Sequence, residues 1–304
     1  MNLTPSWSVL APAWDALRPT DCAANKAKFT PMKDTVPHPA PLSIPAMLLA
    51  AGRGERMRPL TDTTPKPLLT VRGKPLMQWH LEALARSGCG QVVVNTAWLG
   101  EQVAATFGDH FSLQPTFHKS LSQLNSEQLT LHYSHEGQDF GGALETAGGI
   151  ARALPQLGKV FWVLAGDVYA PDFVFSQAAV QRFVASDMLA HIWLVPNPPH
   201  NLLGDFGLDT RGLALNRAPE QYTYSTLGLY RSALFAPPWC SIPAGNPKGA
   251  QAALAPLLRA AMGQGRVSAE LYTGRWTDVG TPERLRLLNE PAPGEAASAD
   301  SGVA

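Results

Sequence analysis

The sequence predicts an α/β fold built on a doubly wound mixed sheet, with a β-rich second half that carries a ligand pocket. Three observations lead there. Between residues 46 and 196, short apolar runs of strand length alternate with amphipathic helical segments. Such alternation gives a mostly parallel sheet covered on both faces, because parallel strands need crossover helices. After residue 196 the alternation stops, and strand-like runs follow one another directly. The chain of 304 residues is 45% hydrophobic and 16% charged, a globular balance that can bury a sizeable core.

Residues 1–45 contain eight prolines and no sustained periodicity, so residues 1–44 are expected to be a disordered extension. Met47, at the start of the first strand, leaves open a misassigned start codon. AMLLA (46–50), QVVVN (91–95), LTLHYS (129–134), VFWVLAG (160–166) and AHIWLVP (190–196) read as strands. Helical patterns lie between them at 76–88, 99–108, 143–154 and 173–186. Gly88 and Gly90 are candidates to close the first helix. FGLD (206–209), LALN (213–216) and YTYSTLGLYR (222–231) read as shorter antiparallel strands. A helix follows at 251–262, WTDVGT ends a last strand, and ERLRLLNE is a last helix. One domain is expected over 45–290, with an alternating half at about 45–196 and a β-rich, ligand-pocket half at about 197–290, then a flexible tail at 291–304.

Composition narrows the partners. With 24 acidic and 24 basic residues the formal net charge is zero, so no long-range field favours nucleic acid or an anionic membrane. Cys22, Cys89 and Cys240 are too few and too scattered for a disulfide framework or a zinc site. They fit a reducing cytoplasm. No apolar run approaches the ~18 residues of a membrane helix. The eight histidines are scattered and read as structural or exposed. A monomer or small homo-oligomer is expected.

Chemistry concentrates in AMLLAAGRGERMRPLTDTTPKPLL, residues 46–69. Open α/β sheets bind ligands beyond the carboxyl ends of their strands, where this loop begins. Gly52 and Gly54 let the backbone turn and aim amides at an anion. Arg53, Arg56 and Arg58 offer charge-assisted bonds to phosphate, and Lys66 adds a point charge. A Walker loop is excluded because no GK[ST] follows the second glycine. A dinucleotide fingerprint is excluded because Met57 stands where the third glycine should open a helix. Pro59, Pro65 and Pro67 prevent a helix from starting there. What remains is an extended, stiff, basic loop suited to a polyphosphate, or an ordinary Gly/Pro/Arg-rich surface turn.

The spacing of Gly52, Gly54, Arg56, Met57, Pro59, Leu60, Thr61, Pro65, Lys66 and Pro67 resembles the signature of the sugar-nucleotidyltransferases. The likeness extends over about residues 45–290, through NTAWLGEQV, LETAGGI, AGDVY, GDFGL and RWTDVGTPERL. It implies a Rossmann-like, nucleotide-diphospho-sugar transferase (GT-A-like) fold. It also implies that Arg56 and Lys66 hold the pyrophosphate leaving group. Ala50, Gly52, Gly54 and Glu55 would then contact the nucleotide, with Gly137, Thr146 and Gly148 in the loop that reads the base. Asp167 and Asp278, each just past an apolar strand, match the metal ligands of the family. Two hard carboxylates suit Mg²⁺, which would neutralise charge at the reacting phosphorus. Asn197 and Gly207 match sugar contacts, and Glu145 can hydrogen-bond sugar hydroxyls. The subgroup most resembled joins UTP to a sugar 1-phosphate, N-acetylmuramic acid α-1-phosphate of cell-wall recycling. Guanylyl transfer to mannose 1-phosphate, uridylyl or thymidylyl transfer to glucose 1-phosphate, and a non-catalytic nucleotide-sugar-sensing subunit stay open. Arg217, Arg231 and Lys248 are candidates for an acidic group on the sugar.

Overall fold

The computed structural model describes residues 43–113 and 128–291. The expected extension before residue 43 and the expected tail after 291 lie outside the described residues. In chain order the strands are β1 (Ala46–Leu49), β2 (Thr70–Val71), β3 (Lys74–Pro75), β4 (Gln91–Thr96), β5 (His110–Ser112), β6 (Gln128–His135) and β7 (Val160–Ala165). They continue as β8 (Val168–Tyr169), β9 (Ala190–Val195), β10 (Gly207–Leu208), β11 (Ala214–Leu215), β12 (Thr223–Arg231), β13 (Val267–Leu271) and β14 (Thr277–Asp278). The helices are α1 (Leu76–Arg86), α2 (Gly100–Phe107), α3 (Glu136–Phe140), α4 (Glu145–Leu157), α5 (Gln177–Ala185), α6 (Leu254–Met262) and α7 (Pro282–Asn289).

Eight strands form one sheet in the order β13-β9-β12-β7-β1-β4-β6-β5. β1 is parallel to β4 and β7, and β4 is parallel to β6. β12 runs antiparallel between β7 and β9, which makes the sheet mixed. The central strands are apolar on both faces, as helices on both sides require. Leu48, Val94 and Leu164 point to one face and pack with Leu81 and Leu84 of α1. Met47, Val93 and Val163, one residue out of phase, point to the other and pack with Ile150 and Leu157 of α4.

Several elements depart from the sequence expectation. The run 222–231, expected as a short strand of a β-rich second half, is a nine-residue strand inside the main sheet. Its apolar alternation is the same whichever sheet it joins, so pattern alone does not select its partners. The helix expected over 173–186 begins only at Gln177, capped by Ser176. Phe173 and Phe175 instead pack edge-on against Trp162. Gly88 takes the left-handed conformation (φ 80°) just past α1, whereas Gly90 does not. The segment that holds Gly137, Thr146 and Gly148, expected as a base-reading loop, contains α3 and the start of α4. Gly148 therefore lies inside α4.

Candidate functional site

A cavity of about 690 Å³ opens beyond the carboxyl ends of β1, β4 and β7, within the range of small-ligand sites. Ala50, Gly52, Lys66 and Asp167 line one end. Phe206, Tyr224, Leu254 and Leu258 form an apolar and aromatic wall elsewhere in it, and Glu145 and Thr146 complete the lining from the start of α4. Two non-glycine residues with left-handed backbone, Glu145 (φ 61°) and Thr226 (φ 65°), both face this cavity. Strain of this kind is held where function needs a fixed geometry. Thr226 sits where β12 shifts register between Tyr224 and Gly228, a bulge that re-aims neighbouring side chains.

The loop after β1 is built as a chain of short turns. Gly54 is left-handed (φ 67°) and caps a single 3-10 turn at Glu55–Met57. Thr61 Oγ1 donates to the Gly54 carbonyl at 2.8 Å. A Cβ at Gly54 would lie 3.0 Å from Thr61 Cγ2 and 3.4 Å from Lys66 Cβ, so glycine is needed for close packing as well as for φ. Gly52 differs: its φ is ordinary, and a Cβ there would meet nothing within 4 Å, so it faces open space. Arg53 Nη1 and Trp98 Nε1 both donate to the Thr61 carbonyl at 2.9 Å. The Arg53 guanidinium also stacks 3.5 Å from the Trp98 ring centre. The NTAWLG segment thus clamps the phosphate-type loop from the neighbouring strand. Arg56 is exposed and has no hydrogen-bond or ion-pair partner among the described residues. Glu55 is exposed beside it.

Lys66 is nearly buried, and its Nζ lies 2.5 Å from Asp167 Oδ2. β14 pairs antiparallel with β8 so that Asp278 stands opposite Val168, and the Val279 amide donates to the Asp167 carbonyl at 2.8 Å. The two predicted metal ligands are thereby brought onto adjacent strands from positions 111 residues apart in the chain. Asp278 Oδ2 accepts from Arg284 Nη1 at 2.5 Å. Its Oδ1 is buried and without a hydrogen bond, although His200 Nε2 is 2.9 Å away. That ring nitrogen also lies 3.0 Å from Arg284 Nη1, so it can donate to Asp278 only in a form that cannot accept from Arg284. Among the described residues no group of three or more His, Cys, Asp or Glu could hold a metal. Asp278 Oδ1, which accepts no hydrogen bond, and the carboxylate of Asp167 are hard donors of the kind Mg²⁺ takes, its other ligands coming from water and phosphate.

Two buried residues to which the sequence reading gave no role in the site, Asn95 of the NTAWLG motif among them, hold the floor together. Asn95, at the end of β4, accepts the Ala50 amide at 2.9 Å and donates to Glu136 Oε1 at 2.9 Å. Glu136 Oε2 accepts the Leu144 amide at 2.8 Å. Burial raises the Glu136 carboxyl above its ordinary range, against the pull of the Leu144 and Asn95 bonds. A polar Asn ending an otherwise apolar strand was the available signal. Its two partners, Ala50 and Glu136, are distant in sequence, so the signal carried no address.

The remaining predicted residues are placed less directly. Gly137 packs on Ala97, where a Cβ would come 2.5 Å from the carbonyl oxygen. The Gly148 amide already donates to Ala252 O at 3.1 Å, and a Cβ there would meet Ala250 O at 2.5 Å. Gly148 is therefore a packing position inside α4 and not a free amide at a helix start. Thr146 does line the cavity. Asn197 spends its side chain on Leu202 O, Gln221 O and Thr223 Oγ1, which fixes its own loop. Gly207 allows Ala218 to approach, since a Cβ would lie 2.3 Å from that methyl. Its neighbour Phe206, not Gly207, lines the cavity. Arg231 caps the end of α5 through Phe183, Val184 and Ser186 carbonyls and is committed there. Arg217 and Lys248 are exposed.

This fold and this constellation define a nucleotidyl-transferring enzyme: residues 45–292 match the nucleotidyl transferase family model, and the chain belongs to that family. It is 45% identical over 245 residues to the N-acetylmuramate alpha-1-phosphate uridylyltransferase of Neisseria meningitidis serogroup B, covering 79% of this chain and 95% of that relative. A UTP–glucose-1-phosphate uridylyltransferase of Synechocystis is 36% identical over 132 residues, 40% of this chain and 30% of that protein. Among solved structures, a putative glucose-1-phosphate thymidylyltransferase from Bacillus anthracis, in complex with a sucrose, superposes with a TM-score of 0.58 at 19% identity. The match covers 85% of this chain and 96% of that one, and it supports the fold.

Proposed function

We propose that the chain transfers UMP from UTP to N-acetylmuramate α-1-phosphate, releasing pyrophosphate, with Mg²⁺ as the metal. The observation that carries this is the 45% identity across 95% of the Neisseria uridylyltransferase. The mixed sheet, the cavity beyond β1, β4 and β7, and the β8–β14 pairing that sets Asp278 opposite the residue after Asp167 support it.

In the reaction an oxygen of the sugar phosphate attacks the α-phosphorus of UTP. The bond from that phosphorus to the bridging oxygen breaks, and pyrophosphate leaves with the electron pair. No proton need be removed from the phosphate nucleophile, so no general base is required. Positioning and charge stabilisation carry the catalysis. Lys66, held against Asp167, supplies positive charge at the reacting phosphates, and exposed Arg56 swings onto the departing pyrophosphate. Asp167 and Asp278 would hold Mg²⁺, which supplies Lewis-acid neutralisation of phosphate charge when bound. The Asn95–Glu136 pair keeps the Ala50 end of the loop and the Leu144 end of the α4 entry in fixed relation. The apolar Phe206–Tyr224–Leu258 wall receives the sugar.

The absence of any helix long and apolar enough to cross a membrane, among the described residues, is compatible with cytoplasmic work on soluble substrates. The test is pyrophosphate release across UTP, GTP, CTP and dTTP, each paired with muramyl, glucosaminyl, glucosyl and mannosyl 1-phosphates. The expected maximum is UTP with N-acetylmuramate α-1-phosphate. A higher kcat/KM for another pair would reassign the substrate, and no release with any pair would favour a sensor.

A further inference from the structure

We propose that Arg259, seated on Phe206, forms a carboxylate-recognising subsite at the rim of the acceptor end of the cavity. This rests on the acceptor reading above, since an N-acetylmuramate phosphate differs from its glucosamine counterpart by a lactyl ether that ends in a carboxylate. A binding site for that group needs a cation next to the apolar sugar wall, not one at the phosphate end.

The cations near the cavity can be sorted by what they already hold. Lys66 is paired with Asp167, and Arg53 is bound to Thr61 O and stacked on Trp98. Arg284 is taken by Asp278 and Arg275 by Asp172, while Arg231 stands at the other end of the sheet, opposite Val160, and is taken by the end of α5. Arg259 has no carboxylate partner among the described residues. Its guanidinium reaches only the Asn216 carbonyl at 3.3 Å and the Asp205 carbonyl at 3.4 Å, both long. These occupy two of the five N–H groups of the fork and leave others free for an incoming carboxylate.

Its position fits as well. Ala255 and Leu258 of α6 line the cavity, and Arg259 follows them at the i+4 and i+1 positions, on the edge of the same helix face. The guanidinium carbon lies 4.8 Å from the centre of the Phe206 ring, and Phe206 is part of the sugar wall. Stacking on an aromatic face orients the planar fork and removes water from one side, which strengthens a bidentate bond to a carboxylate. The backbone beneath it is anchored too, because the Arg259 carbonyl accepts from Asn216 Nδ2 at 2.9 Å.

The experiment measures steady-state kinetics of wild type, Arg259→Ala and Arg259→Lys with UTP, Mg²⁺ and two acceptors, N-acetylmuramate α-1-phosphate and N-acetylglucosamine α-1-phosphate. Arg259→Ala should lower kcat/KM for the muramate substrate about 10- to 100-fold, mostly through KM, and change the glucosamine substrate less than about twofold. Arg259→Lys, which keeps the charge but loses the fork, should fall between. Thermal melting of each variant separates misfolding from lost recognition. Equal losses on both acceptors, or no loss on the muramate one, overturn the subsite. If the wild type turns over other acceptors but not N-acetylmuramate phosphate, the acceptor reading falls by itself. Glucuronate 1-phosphate against glucose 1-phosphate then decides the subsite: an Arg259-dependent preference for the acid keeps it, and none removes it.

Discussion

Replacing Asn95 by Ala should destabilise the protein by about 2–6 kcal/mol, because two buried polar groups would lose their partners at about 1–3 kcal/mol each. The groups are the Ala50 amide and Glu136 Oε1, each 2.9 Å from the Asn95 carboxamide. Ala50 is 4% exposed and Glu136 0%, so both partners are largely shielded from water in the folded state. A loss of that size is a large share of a typical stability of about 5–15 kcal/mol. Asn95→Asp is the informative control. It keeps an acceptor for the Ala50 amide but sets a second carboxylate against Glu136, so it should be no better than Ala near pH 7. It should recover in acid, where one proton can bridge the two carboxylates. Urea unfolding followed by tryptophan fluorescence, at pH 7 and pH 5, measures both. The reasoning is refuted if Asn95→Ala costs less than about 0.5 kcal/mol, the range of ordinary surface changes. It is refuted equally if Asn95→Asp shows no gain in acid.

The other predictions concern catalysis and pH. Asp167→Asn and Asp278→Asn should each cut Mg²⁺-dependent turnover about a hundredfold or more with circular dichroism unchanged, and near-normal activity in either would remove it from the metal site. Arg56→Ala should lower kcat by about a hundredfold and leave the melting temperature within error, since the side chain is exposed and unpartnered; an unchanged kcat would sink its leaving-group role. Burial pushes His80 and His191 down to about 4 from the ordinary 6.5. A depressed folded-state value means stability that is present above pH 6.5 and lost as pH falls toward 4. Melting temperatures should therefore drop across that window, and less steeply in His191→Asn; parallel curves for wild type and variant would count against a buried neutral His191.

The loop after β1 was legible because its information is local. Glycine spacing, prolines and basic residues constrain a few successive turns, and the structure builds the segment that way, from left-handed Gly54 through three short 3-10 turns. Asp167 and Asp278 were legible as residues ending strands, although their adjacency depends on the β8–β14 pairing. The segment expected to read the base was less so. Gly137 and Gly148 were expected as base contacts, and the structure shows a further reason for glycine at each: another backbone passes within 2.5 Å of where a Cβ would be. Asn197 and Gly207 likewise satisfy packing and hydrogen bonds of their own loops. Glycine has the same letter for a turn, an amide donor and a close approach, and only neighbours distant in sequence distinguish them.

By itself the sequence determined the family, the class of fold and the local build of the loop after β1, because periodicity and motif spacing are properties of neighbouring residues. The tertiary structure decided which strands share the sheet, with β12 inserted antiparallel between β7 and β9. It also decided which polar groups meet across it: Asn95 with Glu136, Lys66 with Asp167, and Arg259 with the Phe206 face. The physical reason is that strand pairing and buried hydrogen bonds are satisfied by partners tens to hundreds of residues away. The choice among such partners is made by packing the whole core at once.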